Sequence, residues 1–174
     1  DLRGIDSHGV GRLWIYVDRL KSGQQPPVTT VTTVNEGPGT ALLDGGSGLG
    51  HVVAVRAMET ALRKAKETGI AGVAVRNSSH FGFAGYYPLM AVEQGMVGMA
   101  FTNARPSICP TFGSEPMLGT NPIAFGAPTD LEFPFLLDIA TSIIQRGAVE
   151  LYDRLGMNLP DGLVIDPEGN PLSD

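Results

Sequence analysis

Apolar residues first recur at Val10, Leu13, Trp14, Val17 and Leu20, the spacing of one helical face, behind Asp6 and Ser7, either of which can cap a helix. Gly23 and the Gln25-Pro26-Pro27 run end that helix. Val28 to Val34 and Ala41 to Asp44 have strand composition, and the glycine cluster Gly45-Gly46-Ser47-Gly48-Leu49-Gly50 follows them. Val53, Ala57, Ala61 and Ala65 then predict a helix over Val52 to Thr68, stopped by Gly69, before a short buried strand, Ile70 to Val75. Further along, a short helix is predicted over Tyr87 to Gln94, and strands over Met96 to Phe101, Pro122 to Ala127 and Phe135 to Ile139. A helix over Ile143 to Leu155 and a strand entering a turn at Leu163 to Asn170 complete the pattern. The region from Thr102 to Asn121 is the longest without periodicity, and loops of that length more often serve function than idle. Trp14, Phe81 and Phe101 are assigned to core packing.

Hydrophobic residues make up 43% and charged residues 17% of the 174, enough apolar material for a packed core and too little charge for disorder. Twelve basic against eighteen acidic side chains leave a net charge of −6, which argues against nucleic acid or an anionic membrane as partner. A single cysteine, Cys109, cannot form an intrachain disulfide, so the cytoplasm is the expected compartment. The chain opens on Asp1 rather than Met and stops mid-loop at Asp174, so a piece of a longer protein is expected.

Three histidines carry most of the chemical information. His8, Arg12 and Tyr16 stand four residues apart, and at about 100° per residue they share a stripe facing away from the apolar one. A histidine in a first helical turn is held neutral near pH 7 by the helix dipole, so it can take a proton from a hydroxyl. An arginine one turn on can hold a carboxylate. The competing reading is a solvated helix face. His80 lies in the polar loop Asn77-Ser78-Ser79-His80-Phe81-Gly82 behind a strand, where ligand-contacting loops sit, and His51 reads as structural or incidental. No two of the histidines have metal-ligand spacing, so no metal is expected.

The glycine cluster stands in a strand, turn, helix, strand order that invites a dinucleotide reading. Gly46, Gly48 and Gly50 give G-x-G-x-G rather than G-x-G-x-x-G, however, and a tight structural turn fits better. Arg76, where an acidic residue would meet ribose hydroxyls, would suit a 2′-phosphate. Gly119-Thr120-Asn121-Pro122 and Asp138-Ile139-Ala140-Thr141-Ser142 offer small polar groups and backbone N–H at strand ends, as a phosphate or ribose cradle would. Thr141-Ser142 reads equally as a helix cap.

Taken in order, Arg3 to Val10, Asn77 to Gly82, Gly119 to Pro122 and Leu137 to Ser142 resemble the malate/L-lactate dehydrogenase family. This group also holds ureidoglycolate, sulfolactate and 2,3-diketogulonate oxidoreductases. The resemblance implies an α/β chain of the α+β type, with a mainly antiparallel or mixed sheet, surrounding helices and a non-Rossmann NAD(P)-binding fold like that of L-sulfolactate dehydrogenase. Residues 1–40 would form an N-terminal helical substrate segment and 41–174 an NAD(P)-binding domain. It implies NAD or NADP as cofactor, a homodimer, and hydride transfer between that cofactor and a small 2-hydroxy or 2-keto acid of the malate or L-lactate type. By the same resemblance His8, with Ser7 beside it, is the catalytic proton donor or acceptor, Arg12 meets the substrate carboxylate and Tyr16 stands nearby. His80 is a second active-site histidine, the proton acceptor in some members. Cofactor contacts are expected at Ala104, Thr120, Asn121, Pro122, Asp138, Ile139, Ala140, Thr141 and Ser142. Which histidine acts as base is left open. The alternatives are a truncated binding or dimerisation module and, among enzymes, an NADPH-dependent cyclic imine carboxylate reductase.

Overall fold

A computed structural model describes Gly4 and residues 8–172. A 3₁₀ turn, Gly9–Arg12, leads into α1 (Leu13–Lys21), and β1 (Thr32–Glu36) pairs antiparallel with β2 (Thr40–Asp44). Helix α2 (Gly50–Thr68) carries the chain over to β3 (Gly72–Arg76), which pairs parallel with β2 to close a mixed three-stranded sheet. After α3 (Tyr86–Val92), strands β4 (Gly98–Phe101), β5 (Ile123–Ala127) and β6 (Phe135–Ile139) form an antiparallel sheet. Helix α4 (Arg146–Leu155) and a small hairpin of β7 (Val164–Ile165) and β8 (Pro171–Leu172) follow. The β1–β2 pairing spans residue 40, where the expected segments meet.

Local chemistry accounts for most of these elements. Gly23, Gly69 and Gly95 take positive φ just past α1, α2 and α3, the conformation that ends a helix. Val53 and Leu62 on α2 are buried with Ala41 and Leu43 of β2, which packs the helix onto the mixed sheet. Lys64, buried on the same helix, reaches the Gly37 carbonyl and Glu36 Oε1, both at 2.7 Å, and ties the β1–β2 turn down. Helix α3 lies on one face of the second sheet through Pro88 and Ala91. A β-carbon at Gly98 would stand 2.7 Å from Pro88 Cα, so only glycine admits the helix there.

Several expectations are corrected. The first strand begins at Thr32 rather than Val28, because its ladder to β2 starts with the Thr32↔Asp44 pair. Strand β3 is largely exposed rather than buried, since α2 covers it only in part. Helix α4 begins at Arg146, and its N-cap is Gln145, so Thr141 and Ser142 are not its caps. Trp14 and Phe101 are not core residues, being 64% and 61% exposed. Helix α1 turns its polar stripe inward and its apolar stripe, Val10, Leu13 and Trp14, outward. Phe101 stands with Met99, Leu137 and Ile139 on the sheet face opposite α3. Phe81 does pack, stacked on Tyr87 at 5.0 Å between ring centres.

Candidate active site

The glycine cluster forms the floor beneath the His80 loop. The turn amides of Gly45 and Ser47 donate to the carbonyls of Arg76 (2.9 Å) and Asn77 (2.8 Å). At the start of α2, the Leu49 and Gly50 amides take the hydroxyl oxygens of Thr29 (2.9 Å) and Ser79 (3.0 Å). Ser79 in turn donates to the Gly48 carbonyl at 2.9 Å and accepts from the buried Gln25 side chain at 2.5 Å. The helix-start amides that a Rossmann site would offer to a pyrophosphate are thus met by the chain's own side chains. The tight structural turn is the role observed.

His80 is carried on that loop, and two side-chain rings, those of His8 and Tyr16, close on it. The His8 ring stacks against it with centres 5.7 Å apart and planes 21° apart, while Tyr16 Oη lies 2.7 Å from His80 Nδ1. The Gly82 amide also donates to Nδ1, at 3.2 Å. Tyr16 meets His51 edge-on at 4.9 Å, which places the histidine read as incidental in the wall of the cluster. The signal for His51 lay in its position, at the start of the helix that follows the glycine turn.

Electrostatics keep these rings neutral. Burial lowers the pKa of His8 below the usual 6.5, Arg12 adds to the effect, and Asp138 opposes it. His80 retains solvent contact on one side, yet desolvation by its neighbours, then repulsion from His8 and His51 whenever they are protonated and from the Arg12 and Arg19 cations, lower its pKa to about 4. Tyr16 is shifted up by burial. The neutral His8 expected from a helix dipole is therefore found, but desolvation is its main cause, since His8 precedes a 3₁₀ turn rather than opening an α-helix.

Arg12 diverges from its stripe. Its guanidinium pairs with Glu150 Oε2 on α4, and Arg146 Nε holds the other carboxylate oxygen at 2.6 Å. The charge of Arg12 is still felt by His8, His80 and Tyr16. Glu150 had no sequence signal, because nothing local links it to a residue 138 positions away. Ser7 lies outside the described residues.

The residues expected at a cofactor gather at one end of the second sheet. Antiparallel pairing aligns Phe101, Ile123 and Ile139, so the end of β4, the start of β5 and the end of β6 share an edge. There the Ala104 amide donates to Asn121 Oδ1 (2.9 Å), and Thr141 reaches the Thr120 carbonyl through its amide (2.9 Å) and hydroxyl (3.1 Å). The Pro122 carbonyl accepts from Thr102, and the Ser142 hydroxyl donates to the Ile144 carbonyl at 2.8 Å. Asp138 faces α3, where Oδ2 accepts the Gly85 amide at 2.7 Å, while Ile139 lies on the opposite face beside Ala140. The Ala104 and Thr141 amides and the Thr141 and Ser142 hydroxyls are met by the chain's own acceptors, and because Asp138 turns inward the edge sets small polar and apolar groups outward without that carboxylate, which fits an anionic dinucleotide by shape and charge more than by spare donors. Asp138 ties this edge to the start of α3 through Gly85, and its charge raises the pKa of His8 against the effect of burial. Among the described residues no group of three or more His, Cys, Asp or Glu could hold a metal, and no helix is long and apolar enough to cross a membrane.

Fold and site together define a class: a mixed α/β chain that gathers His8, Tyr16, His51 and His80 beside a polar sheet edge without a Rossmann motif. The sequence model of the family described as Malate/L-lactate dehydrogenase matches residues 1–174, and the chain belongs to that family. It is 53% identical over 170 residues to a malate dehydrogenase of Pyrococcus horikoshii, covering 98% of this chain and 47% of that protein. An L-sulfolactate dehydrogenase of Methanocaldococcus jannaschii is 44% identical over 174 residues, 100% of this chain and 50% of its own length. The crystal structure of malate dehydrogenase from Entamoeba histolytica superposes with a TM-score of 0.96 at 45% identity, covering 100% of this chain and 48% of that one. The chain thus spans about half the length of the curated relatives it matches.

Proposed function

We propose that this chain supplies the proton-transfer cluster and part of the cofactor surface of an NAD(P)-dependent dehydrogenase acting on small 2-hydroxy and 2-keto acids of the malate or L-lactate type. The observation that carries this reading is the stacked pair of imidazoles of His8 and His80, their proton affinity lowered by burial, with Tyr16 on His80 and the charge of Asp138 on β6 acting on His8. Residues 41–174 hold the cofactor in this reading, with Thr120, Asn121, Thr141 and Ser142 at its polar groups. When bound, the nicotinamide accepts or returns a hydride at the substrate carbon.

The chain's own residues handle the proton and the anion. In the oxidative direction a neutral histidine takes the hydroxyl proton as hydride leaves the same carbon, so a base near neutrality and a carboxylate clamp must converge. Arg12 serves as the clamp, and an arriving substrate carboxylate meets Glu150 already on that guanidinium. The malate and sulfolactate dehydrogenases among the relatives support the substrate class. A homodimer in the cytoplasm completes the proposal, and the outward apolar stripe of α1 offers surface to a second copy.

The test is turnover of reduced nicotinamide with oxaloacetate, pyruvate and related keto acids by the complete gene product. His8→Ala is expected to lower turnover at least a hundredfold, in line with the roughly 10²–10⁴-fold worth of a general acid or base, with cofactor affinity unchanged. Undiminished turnover in that variant refutes the assignment.

A further inference from the structure

The Arg12 guanidinium, whose charge reaches His8, Tyr16 and His80, is held by an ion pair more than by packing. Its side chain is 15% exposed, and an arginine so buried needs a counter-charge, which the Glu150 carboxylate on α4 supplies through Oε2. Nε of Arg146, one turn earlier on the same helix, takes the other carboxylate oxygen at 2.6 Å. Desolvation would raise the pKa of Glu150, but hydrogen bonds from Arg12 and Arg146 outweigh it and keep the carboxyl below its usual 4.5, ionised at neutral pH. Backbone contact between α4 and either the 3₁₀ turn or α1 is sparse among the described residues, so this relay is the main tie between Arg12 and α4.

We infer that Glu150 is a positioning residue: by gripping a terminal nitrogen of Arg12 from α4, with Arg146 behind it, it orients the guanidinium before a substrate carboxylate arrives. The substrate in this statement rests on the dehydrogenase reading, in which Arg12 is the carboxylate clamp; the relay rests on the ion pairs alone. Glu150 meets Arg12 through Oε2 while its Oε1 is engaged by Arg146, which falls short of the two-oxygen fork that an arginine makes with a bidentate carboxylate. An arginine side chain turns about several bonds, and ordering it at the moment of binding costs affinity, whereas a guanidinium already held loses little more.

Removing Glu150 has two opposed effects. Arg12, Glu150 and Arg146 together carry one net positive charge, and without the carboxylate they would draw an anionic substrate in more strongly and lower KM. Loss of the grip, in contrast, frees the guanidinium and raises KM. The cation left over is Arg146, which is 65% exposed, so solvent screens most of the charge gained. Release of Arg12 is therefore the effect that wins, and the sign of the KM change separates a residue that positions the clamp from one that merely competes with the substrate for it.

Steady-state kinetics of the complete gene product with oxaloacetate and pyruvate reads that sign. Glu150→Ala should raise KM for the keto acid about tenfold, with kcat and the KM for reduced nicotinamide within about twofold of the parent. Glu150→Gln, whose amide oxygen still accepts from Arg12, should keep KM within about threefold. Arg146→Gln, at an exposed position where folding is not at stake, should raise KM about twofold by loosening Glu150. Because Glu150 acts through Arg12, adding Glu150→Ala to Arg12→Met should raise KM no further than Arg12→Met alone. An unchanged or lower KM in Glu150→Ala overturns the inference, and so does a further rise in the double variant. Should Glu150→Ala fail to fold, an unchanged or lower KM in Arg146→Gln overturns it instead. A parent protein that turns over no keto acid refutes the dehydrogenase reading, and with it the clamp, while the Arg12–Glu150 relay is still read as coupling between the two residues in thermal unfolding.

Discussion

Gly50→Ala tests how the glycine turn positions the His80 loop. A β-carbon at residue 50 would fall on the Ser79 carbonyl oxygen and stand 2.6 Å from that of His80, both backbone atoms that cannot rotate aside. Ordinary contact begins at 3.4 Å, so the His80 carbonyl must retreat by about 0.8 Å and the Ser79 carbonyl further. That retreat lengthens the Ser79 hydroxyl bonds to the Gly50 amide and the Gly48 carbonyl, now 3.0 and 2.9 Å. Overpacking of this kind costs about 1–3 kcal/mol and lengthening the two hydrogen bonds adds about 1 more, so a loss of about 2–4 kcal/mol is expected. Helix propensity alone would favour alanine by up to about 1 kcal/mol, so the sign of the change identifies the winning effect. At about 2–4 °C per kcal/mol for a chain of this size, thermal unfolding followed by circular dichroism should show Tm lower by roughly 5–15 °C. Gly72→Ala is the control, because nothing lies within 4 Å of its β-carbon, and its Tm should stay level or rise slightly. Equal melting of the two variants would refute the reasoning. Turnover should fall too, since displacing a catalytic group by about 1 Å can cost about 10²-fold.

Acid should weaken the fold through the histidines. His8, His51 and His80 all titrate below 6.5 in the folded chain, so the unfolded chain binds their protons more readily. Their contribution is complete above pH 6.5 and is lost as pH falls from there toward about 4. The depressed carboxylates Glu36, Asp44, Glu150 and Asp166 add losses only near and below 4.5. Tm measured from about pH 7.5 down to about 5 should therefore decline, and His80→Gln should flatten the decline; an unchanged slope counts against a depressed His80. Arg12→Lys should raise KM for the keto acid about tenfold or more with little change in kcat, because an ammonium cannot reproduce the planar fork. An equal KM removes Arg12 from the clamp.

Much of the candidate site was legible because its parts are local. The histidines, the glycine turn and the polar strand ends announce themselves by residue type and position, and four ordered motifs point to one family. What spacing could not supply is direction. Both stripes of α1 are visible in the pattern, yet hydrophobicity alone would bury Val10, Leu13 and Trp14, whereas it is Tyr16 that turns inward to His51 and His80.

The sequence by itself determined the helix stops at Gly23, Gly69 and Gly95, the failure of the dinucleotide fingerprint and the stock of imidazoles, since each depends on residue type and spacing alone. Only the tertiary structure decided that Glu150 meets Arg12, that Asp138 accepts from Gly85, and that Tyr16 and the Gly82 amide both meet His80 Nδ1. Those are encounters between groups mostly far apart along the chain, which no local pattern reports.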